Sequence, residues 1–237
     1  MAPVLSVELA VPLLVVCAMI ALAARRSSTI SLEEVYEGYQ ADPAFDHLSS
    51  TYRFVPGIGD SDADLLFVGE APGKTEDVMG VPFVGPAGDI LEEMLEEVFP
   101  DVYSLPTIYL TNVLKYRPGE RNRDPHVNEI QASIPYLTEE INEINPYLIV
   151  LLGRIPTRTF YPGEVFKNIR GKVLDRRGRK VLITYHPAAI LYHKDKLPEY
   201  QEHFAKIGEI VADHRSAQAA LHHVQDSLAG RLLSGDL

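Results

Sequence analysis

Cysteine is nearly missing from this chain: Cys17 is the single one in 237 residues. That excludes a disulfide framework, and it excludes any metal or iron–sulfur site built from several cysteines of this chain. Basic residues are scarce as well. Lys and Arg total 22 against 33 Asp and Glu, a formal net charge of −11, which argues against a general nucleic-acid coat protein. No basic n-region precedes the apolar stretch near the start, so a cleaved signal peptide is not expected. Internal repeats are absent.

A missing glycine decides how "VGEAPGKTEDVMGVPFVGPAG" (68–88) is read. It contains "GEAPGKT", which looks like a phosphate-binding loop. Such a loop needs G-x-x-x-x-G-K-[ST]. Counting back from Gly73, the first glycine belongs at 68, where Val68 stands; Gly69 comes one place late. The continuation carries Gly80, Pro82, Gly85, Pro86 and Gly88, so no helix is expected before about Ala87. A nucleotide hydrolase is thereby disfavoured. What remains is a buried strand, "DLLFVGE", running into an ordered turn with two acids, a phenylalanine and several glycines. Sites at the carboxyl ends of sheet strands are built this way.

What is present suits one globular domain with extensions, at 46% hydrophobic residues. The expected boundaries are an apolar N-terminal segment (1–28), a main domain (29–212) and a C-terminal helical tail (213–237). Residues 9–24 carry no charge and Arg25-Arg26 follow. The run is marginal against the roughly 20 residues that span a bilayer. Two readings stand for it. One is a membrane tether, with the arginine pair keeping residues 27 onward in the cytoplasm. The other is an upstream start that adds residues the working protein lacks. Both leave the main domain cytoplasmic.

Four short runs rich in β-branched residues read as strands: "DLLFVGE" (64–70), "TIYLTNVLK" (107–115), "PYLIVLLG" (146–153) and "KVLITYHP" (180–187). Helical patterns separate them: "GDILEEMLEEVF", "HVNEIQASIPYLTEEINEI" and "RIPTRTFYP". "SLEEVYEGYQADPAF" reads as a short helix with a Ser31/Glu34 capping box. "KVLDRRGRKVLI" reads as a hairpin turning at Arg177-Gly178. The fold class that follows is α/β and doubly wound, with a mainly parallel four-stranded central sheet and helices on both faces.

In such a sheet the strand ends share one edge. Glu70, Asn112 and His186 stand at three of those ends and can converge, although each alone reads as a cap, a loop hydrogen bond or a core histidine. The basic residues are uneven. "KYRPGERNR" and "KNIRGKVLDRRGRK" together hold half of the 22, as solvated faces or as phosphate contacts.

At this point the residues resemble the family 4 uracil-DNA glycosylases. "GEAPGKTEDVMGVPFVGPAG" is similar to their first motif, "LTNVLKYRPGERNRDP" to their asparagine motif with its basic loop, and "ITYHPAAIL" to their histidine motif. The similarity runs from about Thr51 to Leu191, with the motifs in family order. It implies an enzyme that flips uracil out of DNA and hydrolyses its N-glycosidic bond, the first step of base excision repair. Phe83 would stack on the base. The Asn112 amide would accept from N3–H and donate to O4, a pattern cytosine reverses. His186 would donate to O2 as the leaving anion forms. Glu70 would face the cation-like sugar, and Glu76 would shape the pocket near C5. Gly69, Ala71, Pro72 and Gly73 would line it. Lys115, Arg117 and Arg123, with the basic hairpin, would meet phosphates. Pro187, Ala188 and Ala189 would lead a wedge into the minor groove.

Two departures from the family stand out. Its members usually hold an iron–sulfur cluster on four cysteines; here Tyr116 and Ser133 occupy two of those places. A cluster-free variant is expected, with no cofactor and with aromatic or apolar packing in the cluster's stead. Second, Ala71 stands where more distant uracil glycosylases carry a water-activating aspartate. The reading is a monomeric, monofunctional glycosylase acting on uracil-containing DNA without an obligate protein partner. The alternative is a weakly active or inactive DNA-binding module that kept the fold.

Overall fold

The computed structural model describes residues 30–234, apart from 102–104 and 122. Cys17, the run 9–24 and the expected boundary at residue 28 lie outside the described residues. Among those described, no helix is long and apolar enough to cross a membrane.

Six strands form one sheet: β1 (Ile58–Gly59), β2 (Leu65–Gly69), β3 (Ile108–Asn112), β4 (Leu148–Leu152), β5 (Val173–Arg176) and β6 (Arg179–Thr184). Their spatial order is β1-β3-β2-β4-β6-β5. β3, β2, β4 and β6 run parallel, matching the four apolar runs of the sequence. β1 and β5 flank them antiparallel. Every residue of β2 and β4 is buried, as strands covered on both faces must be.

The helices are α1 (Leu32–Ala41), α2 (Asp46–Ser49), α3 (Lys74–Met79), α4 (Pro86–Val98), α5 (Val127–Ile144), α6 (Arg154–Phe160), α7 (Phe166–Ile169), α8 (Pro187–Tyr192) and α9 (Leu197–Ser234). The period-2 pleat sends Leu66 and Val68 to one face, where they join Ile130, Leu137 and Ile141 of α5 and Ile155 of α6. On the other face Phe67 stacks on Phe204 of α9, with ring centroids 6.2 Å apart. Each such fully buried aliphatic or aromatic side chain contributes about 1.5–3 kcal/mol. Residues Ile30–Glu209 make one compact unit. α1 opens with the Ser31/Glu34 capping box read from the sequence.

Two features depart from the sequence reading. A helix does begin before Ala87: α3 starts after Gly73 and ends at Gly80, whose φ of 75° closes it in the left-handed region. The glycines punctuate this helix rather than prevent it. The β5–β6 hairpin turns at Arg177 and Gly178, both with positive φ (53° and 78°), as a two-residue turn requires. Its arginines, however, sit at the start of β6, while His186 follows the end of that strand. At about 3.3 Å per residue the two lie roughly 20 Å apart along the strand. The turn of the hairpin, with Arg176, Arg177 and Arg179, is thus at the opposite end of the strands from His186, and the expected share of those arginines in phosphate contacts is corrected; Lys172, at the hairpin's other end, lies beside Ile183.

Candidate active site

The carboxyl ends of the parallel strands carry the candidate residues to one place. Gly69 pairs with Asn112 in the β2–β3 ladder. The ladder runs on past both strands: Val113 N donates to Gly69 O at 2.9 Å and Leu114 N to Glu70 O at 3.0 Å. Glu70 and Asn112 are therefore registered by backbone. Gly69 is buried beneath them. A Cβ there would collide with Asn112 Oδ1 and lie 2.7 Å from Phe83 Cζ, so only glycine lets both side chains close over it. Above these ends opens a cavity of about 380 Å³, within the size range of small-molecule pockets. Glu70, Asn112, Phe83 and His186 line it, together with Glu76 and the stretch Ala71–Gly73.

Phe83 holds a φ of 56°, a conformation that costs an ordinary residue free energy and marks a constrained site. The turn folds so tightly that any side chain on Gly88 would strike the Phe83 carbonyl. Its ring lies near-parallel to that of His186, with centroids 6.3 Å apart and 25° between planes.

His186 caps α8 with its own side chain: Nδ1 accepts the Ala188 N–H at 3.2 Å. The ring proton must then sit on Nε2, which makes that atom a donor. Burial drives the pKa of His186 down to about 4, so the ring is neutral at ordinary pH. Gly153, with φ of 93°, donates its N–H to Thr184 O at 2.9 Å and packs directly against His186. Periodicity gave no reason to single that glycine out.

Burial raises the Glu70 carboxyl to about 7. Asp124 raises it too, while Arg154 and Arg158 pull it down. Both arginines are exposed and lie four residues apart on α6, hence on one helix face. Arg154 also pairs with Asp124 at 3.4 Å. The sequence reading passed over them because "RIPTRTFYP" registered only as a helical pattern. The position of Arg154 directly after a strand-end glycine, with Arg158 one turn on, was the available signal.

Glu76, on α3 and 9% exposed, ties the two arms of the first motif. Its Oε1 accepts the Gly85 N–H at 2.8 Å. A Cβ on Gly73 would lie 2.7 Å from Oε2, and one on Gly85 2.9 Å from Oε1, so both glycines make room for this carboxylate.

The basic loop after Asn112 departs from expectation. Lys115 is 1% exposed and its ammonium bonds inward to Glu140 at 2.6 Å; it cannot meet a phosphate. Arg123 forks onto Glu129 at 2.6 and 2.9 Å. Burial alone would raise Glu129, yet the bonds from Arg123, His47 and the His126 backbone hold it at about 2, and the arginine's charge is spent there. Arg123 lines the cavity as part of that clamp. Arg117 is half-buried, donates to Glu120 O at 2.6 Å and lies 5.9 Å over the Tyr52 ring. "PAAILY" is the helix α8, with Pro187 and Ile190 buried. Pro187 is thus an anchor rather than a DNA contact. Ala188 and Ala189 stay half-exposed, and Tyr192, 82% exposed, stands at the cavity's rim.

The places of two family cysteines can be tested for an iron–sulfur cluster. Tyr116 is buried among Tyr39, Phe45 and Leu48. Tyr39 stacks on Phe45 at 4.1 Å and meets Tyr136 edge-on at 5.1 Å, while Phe54 meets Tyr116 at 5.7 Å. The Ser133 hydroxyl bonds to Tyr39 Oη at 3.0 Å and donates to Glu129 O at 2.8 Å. Rings fill this space, and the donors beside it are hydroxyls, not thiolates. These residues do not fit such a cluster.

Residues 56–211 match the profile of the uracil DNA glycosylase superfamily. The chain is 38% identical over 189 residues to the type-4 uracil-DNA glycosylase of Archaeoglobus fulgidus, covering 76% of this chain and 93% of that one. It is 40% identical to the type-4 enzyme of Saccharolobus solfataricus (67% and 76% covered). It is 42% identical to that of Sulfurisphaera tokodaii (66% and 74%).

Proposed function

The chain belongs to the uracil-DNA glycosylase superfamily, and from that premise we propose that its strand-end cavity receives a uracil flipped out of DNA and that the protein hydrolyses the N-glycosidic bond. The observation that carries this is the convergence of Glu70, Asn112, Phe83 and His186 on one cavity. Phe83 offers the base a ring face. The Asn112 amide accepts from N3–H and donates to O4, the reverse of what cytosine presents.

As the bond stretches, its electrons pass to the base and charge gathers on O2. His186 donates Nε2–H there. Because the ring is neutral, it stabilises the uracil anion by a hydrogen bond and keeps its proton. The sugar develops positive charge, which the Glu70 carboxylate faces. Water adds at the sugar carbon, and its proton leaves through Glu70 or solvent. Glu76 acts through the loop it braces, setting the wall near uracil C5. Arg154, Arg158 and Arg117 supply phosphate contacts, and Ala188 with Tyr192 faces the gap left in the stack.

We further propose that the aromatic cluster around Tyr39 serves in place of an iron–sulfur cluster, so that the enzyme works without a cofactor. The single cysteine and the filled site support this. The deciding experiment incubates the protein with a uracil-containing oligonucleotide and then with alkali, which cleaves at abasic sites. Strand scission at uracil, absent with Asn112→Ala, is expected. An intact strand at high enzyme would leave a DNA-binding module as the reading.

A further inference from the structure

Lys115 has no part in the mechanism above, yet it is among the most deeply buried charged groups of the described chain. Its ammonium has three hydrogens and three partners. It bonds to the backbone carbonyl of Asn112 at 2.7 Å, to Thr111 Oγ1 at 2.5 Å and to Glu140 Oε2 at 2.6 Å. Glu140 is itself fully buried. Its second oxygen accepts from Thr111 Oγ1 at 2.9 Å and from Tyr36 Oη at 2.5 Å. Tyr36 Oη in turn accepts the Gly57 N–H at 2.9 Å. A network of α1, the loop at Gly57, β3 and α5 thus closes on one ammonium.

A buried ion pair is a poor stabiliser. Apolar groups of the same shape often do as well or better, because desolvating two charges costs several kcal/mol. Stability alone therefore does not account for a lysine here. Geometry does. The peptide between Asn112 and Val113 is gripped at both ends: its C=O by Lys115 Nζ, and its N–H by the Gly69 carbonyl. The plane of that peptide sets where the Asn112 Cα–Cβ bond points. Lys115 is clamped in turn, its N–H donating to Tyr39 Oη at 3.0 Å and its C=O accepting from Val55 N at 2.9 Å.

We propose that Lys115, held by Glu140, is a positioning residue for base recognition: it fixes the peptide that follows Asn112 and so aims the asparagine amide into the cavity. This rests on Asn112 being the group that reads the base. It gives the lysine of the basic loop a task in selectivity rather than in DNA affinity.

The test compares four full-length variants by single-turnover excision at saturating enzyme, on uracil and on cytosine, with DNA affinity and thermal unfolding measured beside them. Asn112→Ala sets the reference for a lost reader. Lys115→Met/Glu140→Gln removes both charges and the grip on Asn112 O. Glu140→Gln alone keeps the lysine and removes the carboxylate that holds it. Thr111→Val, nearly isosteric, loosens the ammonium.

A misplacement of about 1 Å can cost on the order of a hundredfold in rate. The double variant is expected to lose about ten- to a hundredfold on uracil and to narrow the uracil-to-cytosine ratio, with DNA affinity as in the wild type. Glu140→Gln, which leaves the buried ammonium without its counter-charge, should lose in the same direction. Should the double variant fail to fold, Thr111→Val decides, with a smaller loss in the same direction expected. An unchanged rate and ratio in a folded Lys115 variant, beside an inactive Asn112→Ala, would overturn the proposal alone. A Glu140→Gln variant as fast and as selective as the wild type would overturn the part assigned to Glu140. A fully active Asn112→Ala would sink the base-reading assignment and this proposal with it.

Discussion

A Cβ placed on Gly153 would lie 3.0 Å from the Cβ of His186, so the end of β4 serves as a stop against which the histidine rests. Gly153→Ala adds that atom at a φ of 93°, where a side chain is strained. The variant is expected to be less stable by 1 kcal/mol or more and slower in single turnover, with DNA affinity unchanged. Chemical denaturation and a rapid-quench assay measure both. A wild-type rate would show that His186 needs no such stop.

His186→Ala should act on the chemical step. Charge on O2 exists only as the bond breaks, and removing one such donor costs about a hundred- to a thousandfold in rate. Affinity for uracil-containing DNA should hardly move. Weakened binding with an intact rate at saturating enzyme would make the histidine a structural residue.

The pH profile should report Glu70. Its carboxyl is raised by burial to about 7, so the anion is present above that pH and is lost as the pH falls through it. The single-turnover rate is expected to rise between about pH 6 and pH 8 and then level off. In Glu70→Gln it should be low and flat. His186, held down near 4, stays neutral throughout this window and adds no second limb. Replacing Arg154 and Arg158, which pull Glu70 down, should move the rise to higher pH.

The same two arginines should carry salt dependence. Each lost phosphate contact flattens the slope of log affinity against log salt by about 0.9. Arg154→Gln/Arg158→Gln is expected to weaken DNA binding and flatten that slope, read by fluorescence anisotropy over a salt series. Lys115→Met/Glu140→Gln should leave the slope as it is. The reverse pattern would return the phosphate role to the loop after Asn112.

Elemental analysis of the purified protein is expected to find no bound iron. Tyr39→Ala, which empties the centre of the ring cluster, should cost about 3–5 kcal/mol of stability. Stoichiometric iron would show that the site around Tyr116 and Ser133 is built differently.

The central parallel strands were legible in the sequence because "LLFVG" and "LIVLL" are apolar throughout, as a doubly covered sheet requires. Strand ends then told which polar residues share an edge, and Glu70, Asn112 and His186 do. The burial of Lys115 was not legible. Its partner Glu140 lies 25 residues away, and a lysine among arginines looks like surface. Nor does a basic hairpin announce its place in the sheet: the arginines around Gly178 lie where β5 turns into β6, whereas His186 follows the end of β6. β1 is only two residues long and leaves no periodic trace. The helix Lys74–Met79 was hidden by the glycines that bound it.

The backbone bonds from Val113 and Leu114 to Gly69 and Glu70 have a consequence for how such a site can evolve. They make the spacing of acid and asparagine a property of the main chain, with Lys115 setting only the aim of the amide. The loops beyond Lys115 can change length, charge and composition while those two groups keep their places. Substrate range can then drift by loop exchange, one loop at a time, with the spacing of Glu70 and Asn112 inherited intact from the sheet.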